Sequence, residues 1–214
     1  MERSGVIERL AIFHAAVYCN HSADRAIAVD LGVKVMDRFL EAAHIILGHE
    51  GGLVDDPLDR GGRTNLGVTQ GTLTSARAAI PDLPEKVDDL TRAQALSIYK
   101  ALYWSKAKCD DLPEPVDFLM FDAAINCGVG GAALQLQKAL MRLGANIRAD
   151  GAIGPLTMAA FWSAWDSQKW RVIAAVQEQR LEWHNSIVAR DKTQLKFLHG
   201  WLNRIVKNAK EAGL

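Results

Sequence analysis

Glu50 closes an apolar, periodic stretch and is followed at once by Gly51 and Gly52. A carboxyl at the C-terminal end of a helix, partly withdrawn from water and beside the negative end of the helix dipole, ionises reluctantly. Such a group keeps a proton near neutral pH, which is what a general acid requires. By position alone, Glu50 reads more readily as a solvated glutamate at a helix end. The residues that follow add chemistry. Asp59 and Thr64 stand in a stretch rich in glycine and aspartate, and a turn of that kind folding back over the helix end places both across a groove from Glu50. Glycoside hydrolysis uses such a pair of carboxyls: one protonates the leaving oxygen, and the other stabilises oxocarbenium charge or activates water. Inverting enzymes keep the two about 6.5–9.5 Å apart to leave room for that water, and the Thr64 hydroxyl is placed to hold it. Taken singly, Asp59 is a turn former beside Pro57 and Thr64 a hairpin residue.

Competing chemistries fit less well. His49-Glu50 opens like an H-E-x-x-H zinc signature, but Leu53 stands where the second histidine belongs and Gly51-Gly52 breaks the helix the signature needs. His44 and His49 are five apart and share no helix face well enough to chelate. Asp55, Asp56 and Asp59 lack EF-hand spacing and read as solvated turn carboxylates. The three cysteines, Cys19, Cys109 and Cys127, form no CxxC pair and read as reduced, mostly buried thiols. No metal and no cofactor is expected.

The elements that must position these residues are helical. Met36, Phe39, Leu40, Ala43, Ile46 and Leu47 follow helical spacing, so residues 36–49 form an amphipathic helix that Gly51-Gly52 terminates. Residues 54–71 carry turn chemistry, with a short hairpin from Arg63 to Gln70. Thr91 caps a helix over 92–104. A further helix runs from Val116 to Cys127 and breaks at Gly128 and Gly130-Gly131. The next carries Leu136 and Leu140 and stops at Gly144. Asp150 to Pro155 turn the chain into another helix with proline at its first position, and long helices follow over about 167–190 and 194–211. The fold class is therefore all-α, a helical bundle with one Gly/Asp-rich loop and hairpin. Three segments are expected: a helical extension over 1–35, a first packing unit over 36–112, and a second over 113–214, opened by Pro113-Glu114-Pro115. Gln70, Tyr103, Trp104 and Asn126 are the candidates for lining a saccharide groove, because sugar rings stack on aromatics and their hydroxyls and acetamido groups need hydrogen bonds. For Tyr103 and Trp104 a core position is the competing reading. Trp162, Trp165, Trp170 and Trp183 are assigned to packing. Arg180 falls on an apolar stripe, and a buried arginine needs a partner, expected from an acidic residue of the first half.

Of the 214 residues, Lys plus Arg number 25 and Asp plus Glu number 25, and 49% are apolar. That balance gives no net basic field for nucleic acid or an anionic membrane. No run approaches the roughly 20 apolar residues of a bilayer span. The apolar patch from Leu10 to Cys19 is interrupted by His14 and lacks a clear cleavage site, so it is not read as a signal peptide.

The stretches Glu50 to Pro57 (EGGLVDDP) and Asp59 to Thr69 (DRGGRTNLGVT) together resemble the signature of glycoside hydrolase family 108, bacterial and phage N-acetylmuramidases. The likeness continues at Tyr103-Trp104 and at Phe121 to Gly128. Leu136 to Leu140 and Asp150 to Thr157 resemble that family's C-terminal predicted peptidoglycan-binding region, and Phe197 to Arg204 its closing motif. About residues 36–210 are covered. The resemblance implies a lysozyme-like fold and hydrolysis of the β-1,4 bond between N-acetylmuramic acid and N-acetylglucosamine, with Glu50 as proton donor. Asp59 and Thr64 resemble the later members of the Glu, Asp, Thr order of phage-type lysozymes. The partner implied is bacterial peptidoglycan, met by a monomer that reaches the wall through a holin lesion or a dedicated secretion route. A catalytically inactive wall-binding protein and a lytic transglycosylase are the alternatives.

Overall fold

The structure is a computed structural model, and it describes residues 37–49 and 63–211. The expected extension over 1–35 lies outside the described residues. Six helices and one minimal hairpin make up the described part.

Helix α1 (Arg38–His49) starts where the Asp37 carboxylate accepts a hydrogen bond from the Phe39 N–H at 3.0 Å. Phe39, Ala42, Ala43, Ile46 and Leu47 are buried along one face, the stripe expected from spacing, except that Leu40 is 40% exposed. A helix presents only about a third of its circumference to the core, and Leu40 falls outside that arc.

Strands β1 (Thr64–Asn65) and β2 (Val68–Thr69) pair antiparallel, with Thr64 opposite Thr69. Their connection is Leu66-Gly67, both at positive φ (51° and 71°). Two-residue hairpin turns with positive φ at both positions match the twist of the strands, and they normally use Asn-Gly because a branched side chain strains there. Leu66 accepts that strain, and its carbonyl takes a 3.0 Å hydrogen bond from the Tyr99 hydroxyl.

Helix α2 (Gln70–Ala76) follows directly, capped by Thr69 Oγ1, which accepts from Thr72 N–H. Helix α3 (Arg92–Tyr99) opens with a full capping box between Thr91 and Gln94 and widens into a π turn over Lys100–Trp104. Helix α4 (Val116–Arg142) is broken at Gly128, whose φ of 74° and ψ of 160° are outside any helix. Helix α5 (Pro155–Arg190) begins on its proline and is interrupted at Gln168. Helix α6 (Leu195–Glu211) closes the described chain. Breaks fall at Gly128, at Gly144 (φ 96°) and at Gln168, close to the expected places, whereas Gly130-Gly131, also expected to break the chain, continue the helix.

One continuous apolar core runs from Phe39 to Val176 and joins α1, α3, α4 and α5. At its centre Phe39, Tyr99, Trp104 and Phe121 meet edge to face. The Trp104–Phe121 ring centroids are 5.3 Å apart and the Phe39–Trp104 centroids 5.6 Å. Such clusters add to plain burial through ring quadrupoles. Among the described residues α4 alone has the length and hydropathy of a membrane span, but 61% of that window is buried inside the molecule, so it reads as the central core helix.

Candidate active site

Glu50 and Asp59 lie outside the described residues; what surrounds their positions in the chain is on view. Helix α1 delivers the backbone to within one residue of Glu50, and α1 is held at its other end by Arg38. Arg38 forks onto the carboxylate of Asp117 at the start of α4, Nε to Oδ2 at 3.0 Å and Nη2 to Oδ1 at 3.2 Å, and its Nη1 reaches Glu41 and Glu114. Burial pushes the Asp117 carboxyl up, and the Arg38 guanidinium and the Phe118 N–H offset only part of that. Planar bidentate pairs of this kind fix orientation as well as charge. The register of α1 against α4 is thus set by one fork and by the aromatic cluster above it.

On the other side of the undescribed stretch stands the hairpin that carries Thr64. Its position is over-determined. Asn65 Nδ2 donates to the Val87 carbonyl at 3.0 Å, Arg63 Nε pairs with Asp88 Oδ1 at 2.7 Å, and Tyr99 holds Leu66. Gln70 spans the same loop with both ends of its amide: Nε2 donates to the Glu85 carbonyl and Oε1 accepts from the Val87 N–H. The hairpin's polar residues therefore fasten Thr64, which is itself half-buried, to the 85–90 loop.

Three of the four groove candidates are engaged within the protein. Gln70 is committed to that loop, which its polarity alone did not distinguish from saccharide binding. Trp104 is 1% exposed and its indole Nε1 donates to Asp110 Oδ1 at 2.8 Å; the core reading applies, and Trp104 does not line a groove. Asn126 is exposed, and its Nδ2 donates back to the Asp122 carbonyl at 2.7 Å, leaving its amide oxygen as the group available to a ligand. Tyr103 is half-buried against the core beside Tyr99. Its π turn is a helix irregularity often found at functional sites.

Residue patterns missed the centre of the polar network. Asp122, on α4 and fully buried, accepts from Arg180 Nη2 on α5 and from Arg204 Nε on α6, the latter at 2.8 Å. Burial alone raises its pKa, but the two guanidiniums outweigh burial and hold it below the usual carboxylate range. The expected partner of Arg180 is thus real, and it sits within α4 rather than before residue 112. The signal available was a lone carboxylate inside the apolar run Phe121 to Ala124. His184 lies beside this network, stacked on Trp201 at 4.8 Å. Burial and the nearby arginines lower its pKa to about 4. Among the tryptophans assigned to packing, Trp165 is buried and Trp170 is 70% exposed, because Trp170 follows the Gln168 interruption and is rotated off the stripe. The Cys109 thiol is buried and raised well above its ordinary value by burial, as an inert structural thiol would be. Among the described residues no group of three or more His, Cys, Asp or Glu is placed to hold a metal ion.

Comparison with known proteins agrees with this architecture. The profile of the family described as glycosyl hydrolase 108 matches residues 43–128, and that of the predicted peptidoglycan domain matches residues 131–206. The two meet at the Gly128 break in α4. A solved structure described as that of Brucella abortus SagA is 33% identical, with a TM-score of 0.68, and the match covers 81% of this chain and 92% of that one. No curated protein matches.

Proposed function

Because the chain belongs to glycosyl hydrolase family 108, we propose that it hydrolyses the glycan strands of bacterial peptidoglycan at the β-1,4 bond between N-acetylmuramic acid and N-acetylglucosamine. The observation that carries this reading is that the glycosyl hydrolase region and the predicted peptidoglycan region are built into one core, with α4 belonging to both. In this reading Glu50 gives its proton to the bridging oxygen as the bond breaks. Asp59 and Thr64 hold the attacking water on the opposite face, which inverts the anomeric centre. A rigid helix before the acid and a fastened hairpin under Thr64 suit a reaction that depends on two groups keeping a fixed separation. Asn126 and Tyr103 supply the polar and apolar contacts to the sugar. The protein works as a monomer in the wall, reached through a lesion in the membrane or a secretion route.

The test is product analysis on purified peptidoglycan. New reducing ends with muramic acid at the terminus support hydrolysis, whereas anhydro products would replace it by lytic transglycosylation. Glu50→Gln, checked to be folded, is expected to lower the rate by at least about 10²-fold, the lower range for general acid catalysis. An unchanged rate removes Glu50 from the mechanism.

A further inference from the structure

Helix α6 turns only part of its circumference to the core. Its inner face is buried through Ile205 and Asn208, and Arg204 beside them is tied to Asp122. Next to that face, Leu195, Leu198, Leu202 and Val206 recur at helical spacing and form one row along the helix. Leu198 and Leu202 are half-buried, whereas Leu195 is 58% exposed and Val206 55%. Single exposed apolar side chains are ordinary, but a continuous row of them marks a contact surface. The adjoining row is Lys196, Asn203, Lys207 and Lys210, all exposed. Among the described residues none of these three lysines pairs with a carboxylate, and the one carboxylate on α6, Glu211, stands at its last position. The even charge of the whole chain thus hides a local basic edge. Lys207 and Lys210 also lie beyond the residues that the predicted peptidoglycan domain matches.

We infer that this face of α6 docks on the surface of an anionic lipid bilayer. The helix lies along the surface, the leucine row enters the boundary between headgroups and acyl chains, and the lysines meet lipid phosphates. An apolar row and a basic row side by side suit that occupant better than two others. A nucleic acid or another soluble polyanion engages the lysines and leaves the leucines in water. A second copy of the chain presents the same patch, which holds no row of carboxylates for the lysines to meet. Docking gives the proposed reaction a place of action, a membrane surface, and does not depend on that reaction.

The full chain is floated with vesicles of phosphatidylcholine alone, and with vesicles in which roughly one lipid in three is phosphatidylglycerol. It is expected to bind the anionic vesicles only, and to come off them as salt rises. Each lysine near such a surface contributes about fivefold in affinity, so replacing Lys196, Lys207 and Lys210 together by glutamine should weaken binding about a hundredfold. Leu195→Ser combined with Val206→Ser should weaken it as well, at low salt and at high. Both side chains are exposed, and the pair is scored only with a melting curve matching the parent; the lysine variant carries the test if the pair fails to fold. Equal binding to both kinds of vesicle, binding to neither, or anionic binding untouched by the lysine variant overturns the inference. Binding that needs the lysines but ignores the two serines assigns the edge to soluble polyanions and overturns it too. So does a dimer that the serine pair dissociates in a chain that leaves vesicles alone, which assigns the row to a second copy.

Discussion

At the scale of single residues, Asp122 ties three helices together. Its carboxylate is fully buried and joined by two guanidiniums from two other helices. Replacing a buried hydrogen-bonded pair by apolar groups can be nearly neutral, but removing one partner leaves charge stranded and costs about 3–5 kcal/mol. Asp122→Asn is therefore expected to lower the unfolding free energy by about that amount, measured by urea titration. Asp122→Asn combined with Arg180→Met is expected to recover part of the loss. Additive losses in the double variant would show that the two side chains do not act as a pair.

At the scale of elements, two predictions separate the backbone devices that serve the site. The Tyr99 hydroxyl steadies Leu66 at positive φ in the hairpin that carries Thr64. Tyr99→Phe should cost about 1 kcal/mol, the worth of one hydrogen bond. The hydrolytic rate should fall by more than the stability change explains, because the hairpin loses its hold. A rate equal to the parent's would show that the hairpin is fixed without Tyr99. The second contrast concerns two glycines. Gly128 sits at φ 74° and ψ 160°, a region open essentially to glycine, so Gly128→Ala is expected to cost about 1–3 kcal/mol. Gly48 is inside α1, exposed, with nothing near its would-be Cβ, so Gly48→Ala should stabilise by about 0.5–1 kcal/mol. Thermal unfolding of the two variants reads both signs.

The elements were legible because each carries its own local signal. Thr91 announces α3, proline opens α5, Gly128 marks the break in α4, and the stripe from Phe39 to Leu47 defines α1. Contacts between distant segments leave no such mark. Gln70 reads identically whether it faces a sugar or the 85–90 loop, and Trp104 could stack on a ligand or fill a core. The pair Arg38–Asp117 spans 79 positions, and nothing local to either residue names the other. Arg180 was legible as needing a carboxylate, but not as needing Asp122.

At the scale of the whole molecule, the polar network between α4, α5 and α6 makes stability depend on pH in a defined window. His184 ordinarily titrates near 6.5, and in the fold its pKa is lowered to about 4. A depressed value means the folded state prefers the neutral ring, so between those limits the unfolded chain binds more protons. The contribution of His184 is fully present above about pH 6.5 and is lost as pH falls toward 4. Asp122, held low by its arginines, stays charged across the same window. The melting temperature should therefore drop between pH 7 and pH 4, and His184→Gln should flatten that slope. A slope unchanged by the substitution would assign the acid sensitivity to other groups.

The break at Gly128 looks like a place to divide the chain, since two family profiles meet there. The bonds made by Asp122 argue otherwise. Its arginines come from beyond the break, so a fragment ending near residue 128 would keep an anion in its interior with no counter-ion. A chimera joining this amino-terminal part to the carboxy-terminal part of a relative should fold only when the donor supplies equivalents of Arg180 and Arg204. The two parts are thus interchangeable among relatives as matched sets, and enzyme engineers who shuffle wall-degrading enzymes would do well to treat those three side chains as a single inherited unit.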